Sequence, residues 1–143
     1  MDDLLCFHTQ ETIYGIPLKY VEETLAKQKI TKVPRLNDKL SGLCNYKGII
    51  YPVLSFDRLL GVNETHQEIC MLLLRVHKYQ VILEIHDIPY MTYGSSIVNQ
   101  VPYEGGSEDI KIDQLCQEDN HYIYVLNMPL ILDNIAEHIL VNE

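Results

Sequence analysis

Apolar residues along this chain come in short runs rich in Ile, Val, Leu and Tyr, broken roughly every ten residues by Gly, Pro, Asn or Asp. Runs of that length with turn residues between them predict strands, and their regular recurrence predicts an all-β barrel or sandwich. The expected strands are Leu4 to Thr9, Ile13 to Leu18, Ile30 to Pro34, Gly42 to Asn45, Ile49 to Phe56, Glu68 to Val76, Gln80 to Ile88, Tyr90 to Tyr93, Asp109 to Ile112 and Tyr122 to Asn127. About ten strands are too many for one small barrel and enough for two. Helix is expected only at Val21 to Lys27, at Asp57 to Leu60 with Gly61 closing it, and in the tail from Leu130 to Ile139. The tetrapeptide NYKG at Asn45 to Gly48 separates two apolar runs, and Asn and Gly tolerate positive φ, so a hairpin is expected there with Lys47 at its tip. Val98 to Asp109, with Pro102, Gly105 and Gly106, reads as a long surface loop.

With 143 residues and 47% hydrophobic composition the chain needs no disulfide or metal staple. It carries 11 basic and 20 acidic residues, a net charge of −9 that repels phosphate backbones and anionic lipid, so nucleic-acid binding and membrane insertion are not expected. The charge is divided unevenly. Met1 to Val62 sums to +1 and Asn63 to Glu143 to −10. The start, MDDLL, lacks the basic region of a signal peptide and no apolar run could span a bilayer, so a cytoplasmic protein is expected. Cys6, Cys44, Cys70 and Cys116 match no zinc or redox spacing and read as reduced thiols.

Enzyme signatures are absent: there is no glycine-rich phosphate loop, no Gly-x-Ser-x-Gly elbow and no His-Glu-x-x-His. Cys6 with His8 on one strand face, or His66 with Cys70, could supply two metal ligands, short of the three or four that zinc needs. His86 beside Asp87 could orient an imidazole, but neighbours on a strand point to opposite faces. The ten tyrosines would suit base stacking only with basic residues between them, and the Tyr-rich half is the acidic one. No cofactor or metal is expected.

The stretches IYGIPLKYVEETL (Ile13 to Leu25), ITKVPRL (Ile30 to Leu36) and SGLCNYKGIIYPVLSFDRLLG (Ser41 to Gly61) occur in that order. Together they resemble the CheW-like family of adaptor modules, whose pattern is a strand ending in Ile-Pro, a Val-x-Glu, an Ile-Thr-x-Val-Pro, and a Gly-x-x-Asn-x-Arg-Gly leading into a Pro-Val strand. The second half is looser, with IHDI (Ile85 to Ile88) and the closing stretch Tyr122 to Leu132 in place. Lys47 stands where the family has Arg, Ser55-Phe56 where it has Asp-Leu, His86 where it has Asp, and Ile82 where Gly is common.

The resemblance implies a single domain over 1–143 made of two five-stranded SH3-like barrels on a shared apolar core. The first would span about 13–62 and the second about 67–132, with strand 4–9 at the junction and a tail over 130–143. It implies a non-enzymatic scaffold that couples the cytoplasmic tip of a chemoreceptor to the regulatory domain of the histidine kinase CheA, itself CheW-like, at membrane-associated arrays. Ile16, Val21 and Thr24 would anchor a receptor helix, with Glu23 and Lys47 as its polar rim. Lysine lacks the planar fork of arginine, so the Glu23 to Lys47 contact is expected to be loose. Pro17, Pro34, Gly42, Asn45, Gly48 and Pro52 would be the structural positions of the motif, and Lys27, Lys29, Lys32, Arg35 and Lys39 a basic, kinase-facing patch. Ordinary solvated charge is the competing reading of both groups: the motif favours the rim role for Glu23 and Lys47, and for the basic patch the two readings stand level. The rival readings are a diverged two-barrel protein with a metal or catalytic role, and a paralogue in a chemosensory pathway other than chemotaxis.

Overall fold

The computed structural model of the chain describes residues 1–34, 38–63 and 69–141, the side chains of 138–141 excepted. Eleven strands among the described residues form two sheets: β1 Leu4–Thr9, β2 Thr12–Pro17, β3 Val21–Leu25, β4 Leu40–Tyr46, β5 Ile49–Ser55, β6 Cys70–Val76, β7 Tyr79–Ile85, β8 Tyr90–Thr92, β9 Asn99–Gly106, β10 Lys111–Glu118 and β11 His121–Leu126. Two α-helices accompany them, α1 Phe56–Leu60 and α2 Met128–Val141. The five-stranded sheet has the order β3-β6-β7-β5-β4 and lies within Val21–Ile88; the six-stranded sheet, β8-β1-β2-β11-β10-β9, is built from Met1–Tyr20 and Pro89–Glu143.

This division differs from the expected one in both count and membership. β2, expected in the first barrel, pairs with β1 through a tight turn in which Gln10 and Glu11 take φ of 51° and 66°, and runs parallel to β11 through Ile13↔Ile123, Tyr14↔Tyr124 and Gly15↔Val125. Pairing of an early strand with a late one draws both ends of the chain into one sheet. The five-stranded sheet is then the contiguous middle of the sequence, and the expected linker at Gly61 to Gln67 falls inside it, with 64–68 outside the described residues.

In the five-stranded unit, alternation along each strand sends one row inward. Leu25, Cys44, Tyr51, Val53, Met71, Leu73 and Ile82 come from all five strands and form one buried cluster, with Ile30, Tyr46 and Ile69 packed against it. The edges β3 and β4 are bridged by the connection between them: Thr31 N donates to Leu43 O at 2.8 Å and Leu43 N to Thr31 O at 2.9 Å. Only Thr31 of the expected strand Ile30 to Pro34 pairs. Gly42 makes this approach possible, since its φ is 149° and a Cβ there would lie 2.3 Å from Thr31 O. Pro52 sits in β5 just before the Val53–Ser55 ladder with β7, where its missing N–H forfeits no bond to that strand. Helix α1 ends at Gly61, as the sequence predicts, but begins one residue earlier than expected, at Phe56, with Ser55 Oγ accepting from Arg58 N.

Two elements correct the sequence reading. Val21–Leu25, expected as helix, is β3, paired antiparallel to β6 with a bulge between Val21 and Glu23. Val98 to Asp109, expected as loop, contains β9, an exposed edge strand on β10. In the six-stranded unit, Leu4, Cys6, Ile13, Cys116, Ile123 and Val125 form the buried cluster on one face of the sheet.

Candidate functional site

The β4–β5 hairpin turns through Lys47 and Gly48, with φ of 52° and 86°. Positive φ therefore falls on Lys47 and Gly48, not on Asn45 and Gly48 as the dipeptide chemistry suggested. Asn45 contributes by its side chain instead: Oδ1 accepts from Gly48 N at 3.1 Å, holding the turn closed. Nothing lies within 4 Å of a Cβ at Gly48, so glycine serves the backbone angle alone there. The tip is thus a rigid turn that presents Lys47 to solvent.

The bulge in β3 decides which side chains share a face. Val21 pairs with Leu74 and Thr24 with Leu72, whereas Glu23 pairs with Leu73 and Leu25 with Met71, members of the inward row. Val21 and Thr24 therefore share one face and Glu23 points to the other, toward the mouth of the five-stranded unit. There it meets the hairpin: Lys47 Nζ lies 3.8 Å from Glu23 Oε1. The contact is at the long end of an ion pair. The adjacent Glu22 is engaged elsewhere, accepting from Arg75 Nε.

Tyr46 completes the group and was missed by the sequence reading. Its inward position beside Lys47 was the available signal. Its phenol is hydrogen-bonded to Glu23, which raises it from its ordinary value, with Lys47 acting in the opposite direction. The Lys47 ammonium is raised in turn, first by its hydrogen bond with Tyr46 and then by the Glu23 charge. Lys47 Nζ also lies 5.2 Å from the Tyr46 ring centroid. The side chains of Lys47 and Glu23 remain 73% and 40% exposed, so a partner can reach both.

The other expected site residues are scattered. Ile16 is fully buried in the six-stranded unit, and Pro17 ends β2 there opposite Leu4. Lys27, Lys29 and Lys32 are exposed along the connection after β3, and Pro34 is exposed near its end. Lys39 is partly covered and pairs with Asp38 at 3.7 Å. Arg35 lies outside the described residues. Between the two units the net charge is divided as it is between the halves, +1 and −10. Val21–Ile88 carries nine basic and eight acidic residues, and the rest two basic and twelve acidic.

The candidate metal and acid/base pairs dissolve. Cys6 is buried and donates to Thr92 Oγ1 at 3.5 Å, while His8 is exposed with its ring 5.7 Å from that of Tyr90. His66 lies outside the described residues. His86 turns to Asp57 rather than Asp87: Nδ1 is 3.0 Å from Asp57 Oδ2, off the line of a directed hydrogen bond, and both side chains are buried. Among the described residues no group of three or more His, Cys, Asp or Glu side chains is placed to hold a metal ion. No helix among them is long and apolar enough to cross a membrane.

Comparison with known proteins places this geometry. The model of the CheW-like domain matches residues 3–136. The chain belongs to the CheW-like domain family. It is 22% identical over 139 residues to the chemotaxis protein CheW of Bacillus subtilis (strain 168), covering 92% of this chain and 87% of that protein. The crystal structure of the scaffolding protein TtCheW from Thermoanaerobacter tengcongensis superposes with a TM-score of 0.72 at 18% identity, over 88% of each chain. At that identity the structural likeness speaks for the CheW-like fold of two β-units with short helices, and not for any one residue's role.

Proposed function

We propose that this chain is a non-enzymatic scaffold of a chemotaxis signalling system, joining chemoreceptors to a CheA-type histidine kinase. The observation that carries this reading is the family match over residues 3–136, nearly the whole chain, together with relatives named as a chemotaxis protein and a scaffolding protein. The proposed partners are the CheW-like regulatory domain of the kinase and the cytoplasmic helical tip of a receptor, which would bring the protein to membrane-associated arrays.

The site offered to those partners is the hairpin tip with Glu23, Tyr46 and Lys47, and the face of β3 that carries Val21 and Thr24. A rigid turn, an acid and a cation held by a shared tyrosine form a polar rim of fixed geometry, which favours specificity and register over raw affinity. Ile16, being buried, supports its strand and touches no partner in this reading. The exposed lysines at 27, 29 and 32 form a basic strip that would meet an acidic surface. Binding to the kinase should then weaken as salt rises.

Co-sedimentation of the purified chain with receptor fragments and kinase tests the reading. Joint pelleting that depends on the chain supports it. Failure of the chain to associate with either component in any combination contradicts it.

A further inference from the structure

A cleft of about 320 Å³ opens beside the buried cluster of the six-stranded unit, and every residue lining it belongs to that unit. Leu4 and Val125 belong to both the cluster and the cleft and give it a buried apolar floor. The volume falls in the lower part of the range of small-ligand sites, which combine an apolar wall with a few placed polar groups.

A bulge in β10 supplies the polar groups. Ile112 pairs with Leu126 and Gln114 with Val125, two steps along β10 for one along β11, so Asp113 is the extra residue. Strict alternation would send Asp113 and Gln114 to opposite faces, but the bulge re-aims them and both line the cleft. Gln100 of β9 joins them through its pairing with Cys116, a further member of the buried cluster.

Among the described residues no other side chain engages Gln100, Asp113 or Gln114. Burial pushes the Asp113 carboxyl up, opposed only by its own backbone N–H. The nearby cations are directed elsewhere. Lys19, at the rim, lies 3.8 Å from Asp2 and 5.3 Å from the Tyr20 ring centroid. The Met1 amino group acts on the Cys116 thiol, and Lys111 Nζ donates to Ser107 O. A partly desolvated carboxylate without a cation gains most from a ligand that brings one.

From this cleft we infer a binding site, distinct from the hairpin tip, for a small aliphatic amine. An ammonium carries three donors, and the Asp113 carboxylate and the side-chain carbonyls of Gln100 and Gln114 are the acceptors for them. The alkyl chain lies on Leu4 and Val125. A unit of net charge −10 draws such a cation and repels an acid of the same length.

The test is a titration of the full ¹⁵N-labelled chain with n-hexylamine at constant pH and ionic strength, followed by amide shifts. Hexanoate, of similar length and opposite charge, and methylamine, with the charge and almost no chain, serve as comparisons. The inference expects saturable shifts concentrated on 2–4, 17–20, 100, 113–114 and 125–127. Both comparison ligands should bind at least about tenfold more weakly. Asp113→Asn keeps the shape of the side chain and should lose about tenfold in hexylamine affinity, the worth of one charge-assisted bond, while its spectrum stays folded. The capped tripeptide acetyl-Gly-Lys-Gly-amide separates a free amine from a lysine of another protein, and it should bind more weakly than hexylamine. Absent or non-saturable shifts, shifts spread over the acidic surface, equal affinity for hexanoate or methylamine, unchanged affinity in Asp113→Asn, or tighter binding of the tripeptide would each overturn it. None of these outcomes bears on the receptor and kinase reading, whose site is carried by the five-stranded unit.

Discussion

Replacing Gly42 with alanine probes how the candidate site is held. The residue has φ of 149°, and its Cβ would lie 2.3 Å from Thr31 O and 2.8 Å from Ile30 Cγ2. Ordinary contact needs about 3.4 Å, so the Thr31 carbonyl, which accepts from Leu43 N while Thr31 N donates to Leu43 O, must retreat by about 1 Å. The two bonds contribute about 1 kcal/mol each, and the backbone angle costs alanine about 1 kcal/mol more. Gly42→Ala should therefore lose about 3 kcal/mol, read as a lower urea midpoint at unchanged slope. Gly48→Ala is the matched control, because its φ is 86° but its Cβ would meet nothing within 4 Å. It should lose only about 1 kcal/mol, the conformational part alone. Equal losses in the two variants would refute the close-approach argument, and so would a loss below about 0.5 kcal/mol for Gly42→Ala.

Three further outcomes follow from the same geometry. Lys47→Arg should tighten kinase or receptor binding severalfold by gripping Glu23 with two donors, and Lys47→Ala should weaken it, with little change in stability; unchanged affinity in both variants speaks against the rim. The Tyr46 phenol, its proton held by the Glu23 carboxylate, should ionise above the usual tyrosine range, and Glu23→Gln should bring its absorbance titration back down. Burial pushes the Cys6 thiol up to about 11, against the opposing effect of its bond to Thr92. A thiol reagent near neutral pH should therefore modify half-buried Cys70 well before Cys6, as peptide mapping would read.

The strand pattern was legible wherever a segment buries one face. Leu4–Thr9 is found at its expected bounds, and the hairpin at Asn45 to Gly48 and the helix closed by Gly61 lie where their turn chemistry puts them. β3 was not legible, because the polar run Glu22-Glu23-Thr24 between Val21 and Leu25 shows no strand alternation, and a bulge against β6 sets Glu23 and Leu25 on one face and Val21 and Thr24 on the other. β9 was hidden by Pro102, Gly105 and Gly106, residues that an edge strand tolerates and a central strand does not. Glu23 and Lys47 were reached through resemblance alone, and Tyr46 escaped because its role exists only once the inward rows of β3 and β4 converge. The chain division was missed for a related reason: nothing local reveals that β2 will run parallel to β11.

Direct calorimetric binding of this chain to the regulatory domain of a CheA-type kinase, with and without a receptor tip, tests the central claim. A saturable one-to-one complex that weakens with salt, and that is impaired by Glu23→Gln or Lys47→Ala in either partner arm, is the predicted result. A folded chain that binds neither kinase domain nor receptor at low salt would contradict the account.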